Sequence, residues 1–309
     1  MNDGETQAPA SLAYPGARRP DRRYRVDAHG VGIAVYEWGD PDAPVLFLVH
    51  GGFDFAGTYD VFAPKLAAGG WRVVSWDQRG HGDSDHVPLY SWSGDLRDAT
   101  VVMTAATTRA APVIGHSKGG AMMLQLADAE PFRFTHVVNI DGIPHRGASP
   151  DIAAHERSRM LGADIEGWLD FRRRSHQSSR KPATIDGLAE RRRKMNPRLP
   201  IEWLRYLVTV GGFESDDGWR WKIDPAMRFG GFGPWRPEWS LQRLPGIGVP
   251  FLGLLGTEPE EMGWDVKASD IEPMLPDGGR IIEFADTGHF IHIERPDAVA
   301  ELILDFVSQ

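Results

Sequence analysis

One apolar stretch of this chain ends on a serine held between glycines. Val113-Ile114-Gly115-His116-Ser117-Lys118-Gly119-Gly120 leads straight into Ala121 to Ala129, which has helical character. The order reads as strand, sharp turn and helix, with Ser117 at the apex. So tight a turn strains the backbone, and the positions flanking it must be small. It lifts one hydroxyl clear of the main chain and aims the following amides at the same point. A plain N-cap serine in a glycine-rich turn would need no partners. A nucleophilic serine needs a base to take its proton, and that base must come from elsewhere in the chain.

The remainder alternates as a parallel sheet requires. Tyr24 to Asp27 and Val31 to Trp38 read as strands joined at Ala28-His29-Gly30. Val45 to Val49 is a continuous apolar run, the pattern of a strand buried on both faces. Tyr59 to Ala68 has helical spacing and stops at Gly69-Gly70; Trp71 to Trp76 is again strand-like, and Asp95 to Thr108 reads as a helix. Thr135 to Ile140 is the strand after the serine helix. From about His145 to Leu244 the rhythm breaks into an Arg- and Trp-rich stretch with Gly and Pro punctuation, which predicts a mostly helical insertion. The alternation resumes with the strand Val249 to Leu255, a helix near Val266 to Met274, the strand Arg280 to Phe284 and the helix Pro296 to Val307. The fold class is therefore α/β, a mostly parallel sheet flanked by helices. The expected division is a flexible leader over 1–23, a core formed by 24–144 and 245–309, and a helical insertion over 145–244.

Bulk chemistry narrows the function classes. The 309 residues carry 34 Lys and Arg against 43 Asp and Glu, a net charge of −9, which gives no reason to expect a nucleic-acid partner. The basic runs Arg172 to Arg174 and Arg191 to Lys194 read as solvated helix faces or ion pairs between insertion and core. There is no cysteine, which excludes disulfides, thiolate metal sites and a cysteine nucleophile. That fits a reducing interior, so cytoplasm is the default location. No segment is long and apolar enough to span a bilayer, and Met1 to Asp21 lacks the apolar core of a signal peptide.

Three further motifs join the serine turn. His50-Gly51-Gly52-Phe53 follows the first apolar strand, Asp77-Gln78-Arg79-Gly80-His81-Gly82-Asp83-Ser84 follows the next, and Gly288-His289-Phe290 follows the last. With these pieces in this order the chain resembles the α/β-hydrolase superfamily, of the esterase, haloperoxidase and carbon–carbon hydrolase type. The resemblance covers roughly Tyr24 to Ile143 and Pro245 to the end, and it makes the insertion a cap placed before the penultimate strand. It implies Ser117 as nucleophile and His289 as base. Among 11 histidines, position sets His289 apart from His81, His116, His136 and His292. The superfamily keeps its acid after the penultimate strand, here Gly256-Thr257-Glu258-Pro259-Glu260-Glu261. No aspartate stands there. Glu260 is the preferred acid, Glu258 and Glu261 are its register alternatives, and Asp141 at the end of Thr135 to Ile140 is the rival. The oxyanion hole is expected from the backbone amides of Gly52 and Lys118.

Lys118 puts a cation at the positive end of a helix, against local preference. It is expected to face the pocket and pair with Asp141, a cap carboxylate or an anionic substrate, unless it simply reaches solvent. Phe53 is a second candidate for substrate contact. Asp77, Arg79 and Asp83 read as loop scaffold. Six of the 11 tryptophans (Trp168, Trp203, Trp219, Trp221, Trp235 and Trp239) fall in the insertion, most as its core. The leading reaction is hydrolysis of an ester or related acyl bond, on a small molecule with an apolar portion. Carbon–carbon bond hydrolysis or cofactor-free perhydrolysis would use the same residues, and a non-catalytic small-molecule binder is the contrasting class. No metal or organic cofactor is implied, and no membrane partner.

Overall fold

The computed structural model describes residues 12–143, 181–229, 238–263 and 266–309, with isolated helical positions between 162 and 174. Ten strands, β1 to β10 in chain order, are Arg22–Asp27, Gly32–Trp38, Val45–Val49, Arg72–Trp76, Ala111–His116, Phe134–Ile140, Gly212–Ser215, Gly218–Trp221, Phe251–Gly256 and Arg280–Phe284. Nine helices among the described residues, α1 to α9, are Ala63–Ala68, Trp92–Ala106, Lys118–Ala129, Ile185–Met195, Ile201–Gly211, Glu238–Arg243, Ala268–Ile271, Ile291–Glu294 and Pro296–Val307. Eight strands make one sheet in the order β1-β2-β4-β3-β5-β6-β9-β10. β2 pairs antiparallel with both of its neighbours, and every other pairing in that sheet is parallel.

The sheet is covered on both faces, and β3 shows why its run is continuously apolar. Val45, Phe47 and Val49 point into one cluster with Val113, Val137 and Phe251 and with Val102 and Met103 of α2. Leu46 and Leu48 point the other way, against Tyr59, Phe62 and Leu66 and against Val299 and Ile303 of α9. Side chains alternate across a strand, so a strand with a helix layer on each side must be apolar at every position. Each Leu or Phe buried this way contributes about 1.5–3 kcal/mol. This two-sided burial fixes where the strand ends lie, and the site is built on those ends.

Between β6 and β9 the described residues are mostly helical, with one hairpin added. α4 begins at Thr184, whose hydroxyl accepts from the Gly187 amide at 3.1 Å, and α5 packs along it. They are followed by a hairpin, β7 against β8, with Gly218 at φ 125° beside its turn. The alternation of Trp219 and Trp221 with Arg220 is a strand pattern too short to separate from coil by periodicity. Trp203 and Trp219 are buried in a third apolar cluster with Leu188, Leu204, Leu207 and Phe290. The side chains of Trp168, Trp235 and Trp239 lie outside the described residues.

The leader also departs from expectation over its described part. From Leu12 onward it is bonded to the fold: the Leu12 amide donates to Thr209 Oγ1 at 3.1 Å and the Arg18 amide to the Asp60 carbonyl at 2.8 Å. Tyr14 packs on Trp203 at 4.9 Å between ring centroids, and Arg19 pairs with the buried Asp60 at 2.5 Å. This segment caps an apolar cluster and neutralises a buried carboxylate, two contacts that hold it in place. Residues 1–11 lie outside the described part. Among the described residues, no helix is long and apolar enough to cross a membrane.

Candidate active site

β3 lies between β4 and β5, so the connections leaving these strands go to opposite sides and open a crevice at the strand ends. The chain delivers each expected residue to that edge. His50-Gly51-Gly52 follows β3, Ser117 follows β5, Asp141 follows β6, Glu260 follows β9 and His289 follows β10.

Ser117 sits at φ 51° and ψ −122°, a strained backbone for a residue with a side chain. The flanking glycines are required by space. A methyl on Gly115 would come within 2.6 Å of the Gly119 carbonyl, and one on Gly119 would collide with the Val49 carbonyl. The turn is fastened by the Ser117 amide, which donates to the Ile140 carbonyl at 2.9 Å. The Ser117 hydroxyl makes no capping bond to α3, so the plain N-cap role does not hold. Phe53, Ser117 and Asp141 are three of the five non-glycine residues with positive φ among the described residues, and all three stand at this edge.

Asp141, not Glu260, meets the imidazole. The His289 Nδ1–H donates to Asp141 Oδ2 in a short bond, with both side chains buried. Asp141 is turned towards the ring by its own φ of 44°, with its amide donating to the Leu254 carbonyl at 2.8 Å. Glu260 instead accepts from the backbone amide of His289, at 2.7 Å to Oε2. Its loop follows β9 low against the histidine turn, so its carboxylate reaches the main chain rather than the ring. Glu294 does the same for the Gly288 amide at 2.8 Å and is itself held by Arg198 at 2.9 Å. Desolvation raises the Glu260 pKa, as does the nearby charge of Glu294, against the bond from His289. His116, adjacent to the serine, donates from Nε2 to the His289 carbonyl at 3.0 Å, and the two rings lie 4.6 Å apart. The histidine turn is thus tied to the serine turn directly. His292 is fully buried beneath both. A cavity of ≈ 210 Å³ opens beside Asp141 and His289, with Glu258, Glu260, Glu283 and Lys267 in its wall.

On the opposite side the Gly52 Cα faces Lys118: a Cβ built there would stand 3.9 Å from Lys118 Cβ, which brings the two expected oxyanion residues together. The peptide linking Gly51 and Gly52 is oriented by His50, whose Nδ1–H donates to the Gly51 carbonyl at 2.7 Å while Nε2 accepts from the Gln78 amide at 3.0 Å. Burial lowers the His50 pKa to about 3, so this ring is neutral. Phe53 is half-buried against Tyr90, Ile223 and Met227. Lys118 has a partner in the core that its position in the sequence did not name. It is buried and pairs with Asp95 of α2 at 2.8 Å. Asp77 and Asp83 act as loop scaffold: Asp77 accepts from the Ala56 amide at 2.7 Å and the Asp83 amide at 2.8 Å, and burial raises its pKa to about 6.

Two residues at this edge carried no sequence signal of their own. Asp95 is one of two aspartates in α2. Arg192 is one of four consecutive bases, yet it turns inward and donates from Nη1 to the Phe53 carbonyl at 2.9 Å. The signal that could have found Arg192 is helical phase: Leu188, Arg192 and Asn196 recur at every fourth position and face the same way. Among the described residues, no three His, Asp or Glu side chains converge as a metal site.

Residues 46–302 match the model of the Alpha/beta hydrolase family. A bifunctional esterase/perhydrolase of Acinetobacter calcoaceticus is 34% identical over 291 residues, covering 92% of this chain and 99% of its own. An AB hydrolase superfamily protein of Bacillus subtilis is 25% identical, covering 92% and 96%. Among solved structures, the thioesterase domain from the curacin biosynthetic pathway superposes with a TM-score of 0.75 at 22% identity, over 92% of this chain and 99% of that one.

Proposed function

The chain belongs to the alpha/beta hydrolase family, and on that premise we propose that it is a serine hydrolase cleaving an ester or related acyl bond. The observation that carries this reading is the Asp141 carboxylate on Nδ1 of His289, with Ser117 raised at the same strand edge on a strained turn and making no capping bond. Asp141 fixes the tautomer that leaves Nε2 free to accept a proton. Ser117 Oγ attacks the substrate carbonyl carbon as Nε2 takes its proton. The oxyanion is received by the amides of Gly52 and Lys118, each donor of this kind lowering the barrier by about 3 kcal/mol. The imidazolium then protonates the leaving alcohol, and water, activated by the same nitrogen, releases the acid.

The substrate is a small molecule with an apolar portion, received against the Phe53 side of the crevice. The segment 145–244 serves as a cap over a core of 24–144 and 245–309. A chain without cysteine suits a reducing compartment, and the cytoplasm is the proposed location.

Labelling by a fluorophosphonate, together with turnover of p-nitrophenyl esters of graded acyl length, tests this. Both should be present in the wild type and absent in Ser117→Ala. A wild type that is neither labelled nor active would sink the reading in favour of a non-catalytic binder. The likeness to an esterase/perhydrolase supports one second activity: attack on the acyl-enzyme by hydrogen peroxide in place of water, giving a peracid. Peracid formed from an ester and peroxide, and lost in Ser117→Ala, is the expected result.

A further inference from the structure

The loop after β3 is gripped one peptide at a time. No peptide bond among the described residues is cis, so the C=O and N–H of each unit point in opposite directions, and holding one end aims the other. His50 holds the carbonyl of the Gly51–Gly52 unit, which turns the Gly52 N–H the other way. In the next unit, the Phe53 N–H donates to His81 Nε2 at 3.3 Å. In the unit after that, the Phe53 carbonyl accepts from Arg192 Nη1 at 2.9 Å. Between these two grips Phe53 stands at φ 58°, a left-handed conformation that a phenylalanine does not keep unaided.

Both grips are themselves fixed. His81 is buried, and its Nδ1–H donates to the Arg79 carbonyl at 3.0 Å, which leaves Nε2 as the acceptor. Burial, first, and then His50 and Lys118 keep the ring neutral, as it must be to accept. The Arg192 guanidinium is set by Nε donating to Asn196 Oδ1 at 2.7 Å, it lies over the Phe290 ring at 6.0 Å, and its other arm is 3.9 Å from the buried Asp54. Phe290 directly follows His289. One side chain from α4 therefore touches the oxyanion loop and the histidine turn together.

We propose that Arg192 and His81 are positioning residues that clamp the two peptides flanking the Phe53 Cα, so that the oxyanion hole is complete only while α4 is seated on the core. This rests on the hydrolase reading and deepens it: the insertion, beyond walling the crevice, finishes the catalytic machinery.

Steady-state turnover of a p-nitrophenyl ester and the rate of fluorophosphonate labelling, in the wild type, Arg192→Ala, Arg192→Lys and His81→Phe, test the clamp. Arg192→Ala and His81→Phe should each lower kcat roughly 10- to 100-fold, with KM held within a few-fold and labelling slowed in parallel. Dilute guanidinium should restore part of the Arg192→Ala rate and none of the His81→Phe rate. If Arg192→Ala does not fold, Arg192→Lys decides by the same split of kcat against KM, because a lysine cannot bond Asn196 and Phe53 together from a planar fork. Folded Arg192 variants with unchanged kcat, or with the whole loss in KM, would overturn the clamp while the hydrolase reading stood. A wild type that shows neither labelling nor turnover would overturn both.

Discussion

The two walls of the crevice use their buried polar groups differently. The wall built from the ends of β3, β4 and β5 presents peptide N–H groups, the neutral rings of His50 and His81 and the buried Lys118 paired with Asp95, and half-buried Arg192 reaches it from α4. The wall built from the ends of β6, β9 and β10 presents carboxylates: Asp141 on the His289 ring, with Glu260 and Glu294 on the backbone amides of its turn. Acyl transfer through serine develops negative charge on the carbonyl oxygen and positive charge on the imidazole together. Under the proposed reaction, amides on one side and a carboxylate on the other would receive both at once. The division also separates two uses of a carboxylate. One aimed at an imidazole sets the orientation of a ring; one aimed at a main-chain amide sets the shape of a turn.

The largest expected effect breaks the acidic wall at its centre. Asp141→Asn should keep the fold and lower kcat by on the order of 10⁴-fold, because an amide no longer stabilises the imidazolium or selects its tautomer. Turnover comparable to the wild type would place the acid elsewhere. Next comes the opposite wall. Lys118→Met leaves Asp95 buried without its cation and should cost about 3–5 kcal/mol in unfolding free energy, read by denaturant titration. Adding Asp95→Leu should recover most of that loss, since removing both charges removes the desolvation penalty. Glu260→Gln sharpens the contrast within the acidic wall: its amide carbonyl still accepts from His289, so kcat should fall less than about tenfold.

The smallest effect is on stability against pH. The Glu260 pKa is raised in the folded chain by desolvation and by Glu294, from an ordinary value of 4.5. The folded chain then holds this proton to a higher pH than the unfolded chain does. Between the two pKa values it binds more protons, so this group's contribution falls as pH rises from about 4.5 and levels off above the folded value. Thermal melts across this range should show a shallower slope in Glu260→Gln than in the wild type.

Much of the core was legible because its rules are local. A strand buried on both faces must be apolar at every position, and a strained turn must be flanked by glycine, so β3, β9 and the Ser117 elbow could be read from residues in a row. The position of His289 followed from chain order. The acid did not, because Glu260 and Asp141 both end a parallel strand at the same edge, and the choice lay in a φ of 44° at Asp141 that no composition reveals. The hairpin β7–β8 was too short for its period to show. Lys118 was marked as a rule-breaker by its place at a helix start, but its partner Asp95 comes from another helix.

The amino-acid sequence alone determined the α/β sheet, the serine at its turn and the histidine after its last strand, since hydrophobic period and steric necessity act over a few neighbouring residues. Which carboxylate faces the imidazole, where Lys118 finds its charge partner and which of four consecutive bases turns inward were decided only in the folded chain. Those outcomes depend on distances between segments far apart in sequence, and buried charges and peptide groups settle wherever that packing offers them a partner.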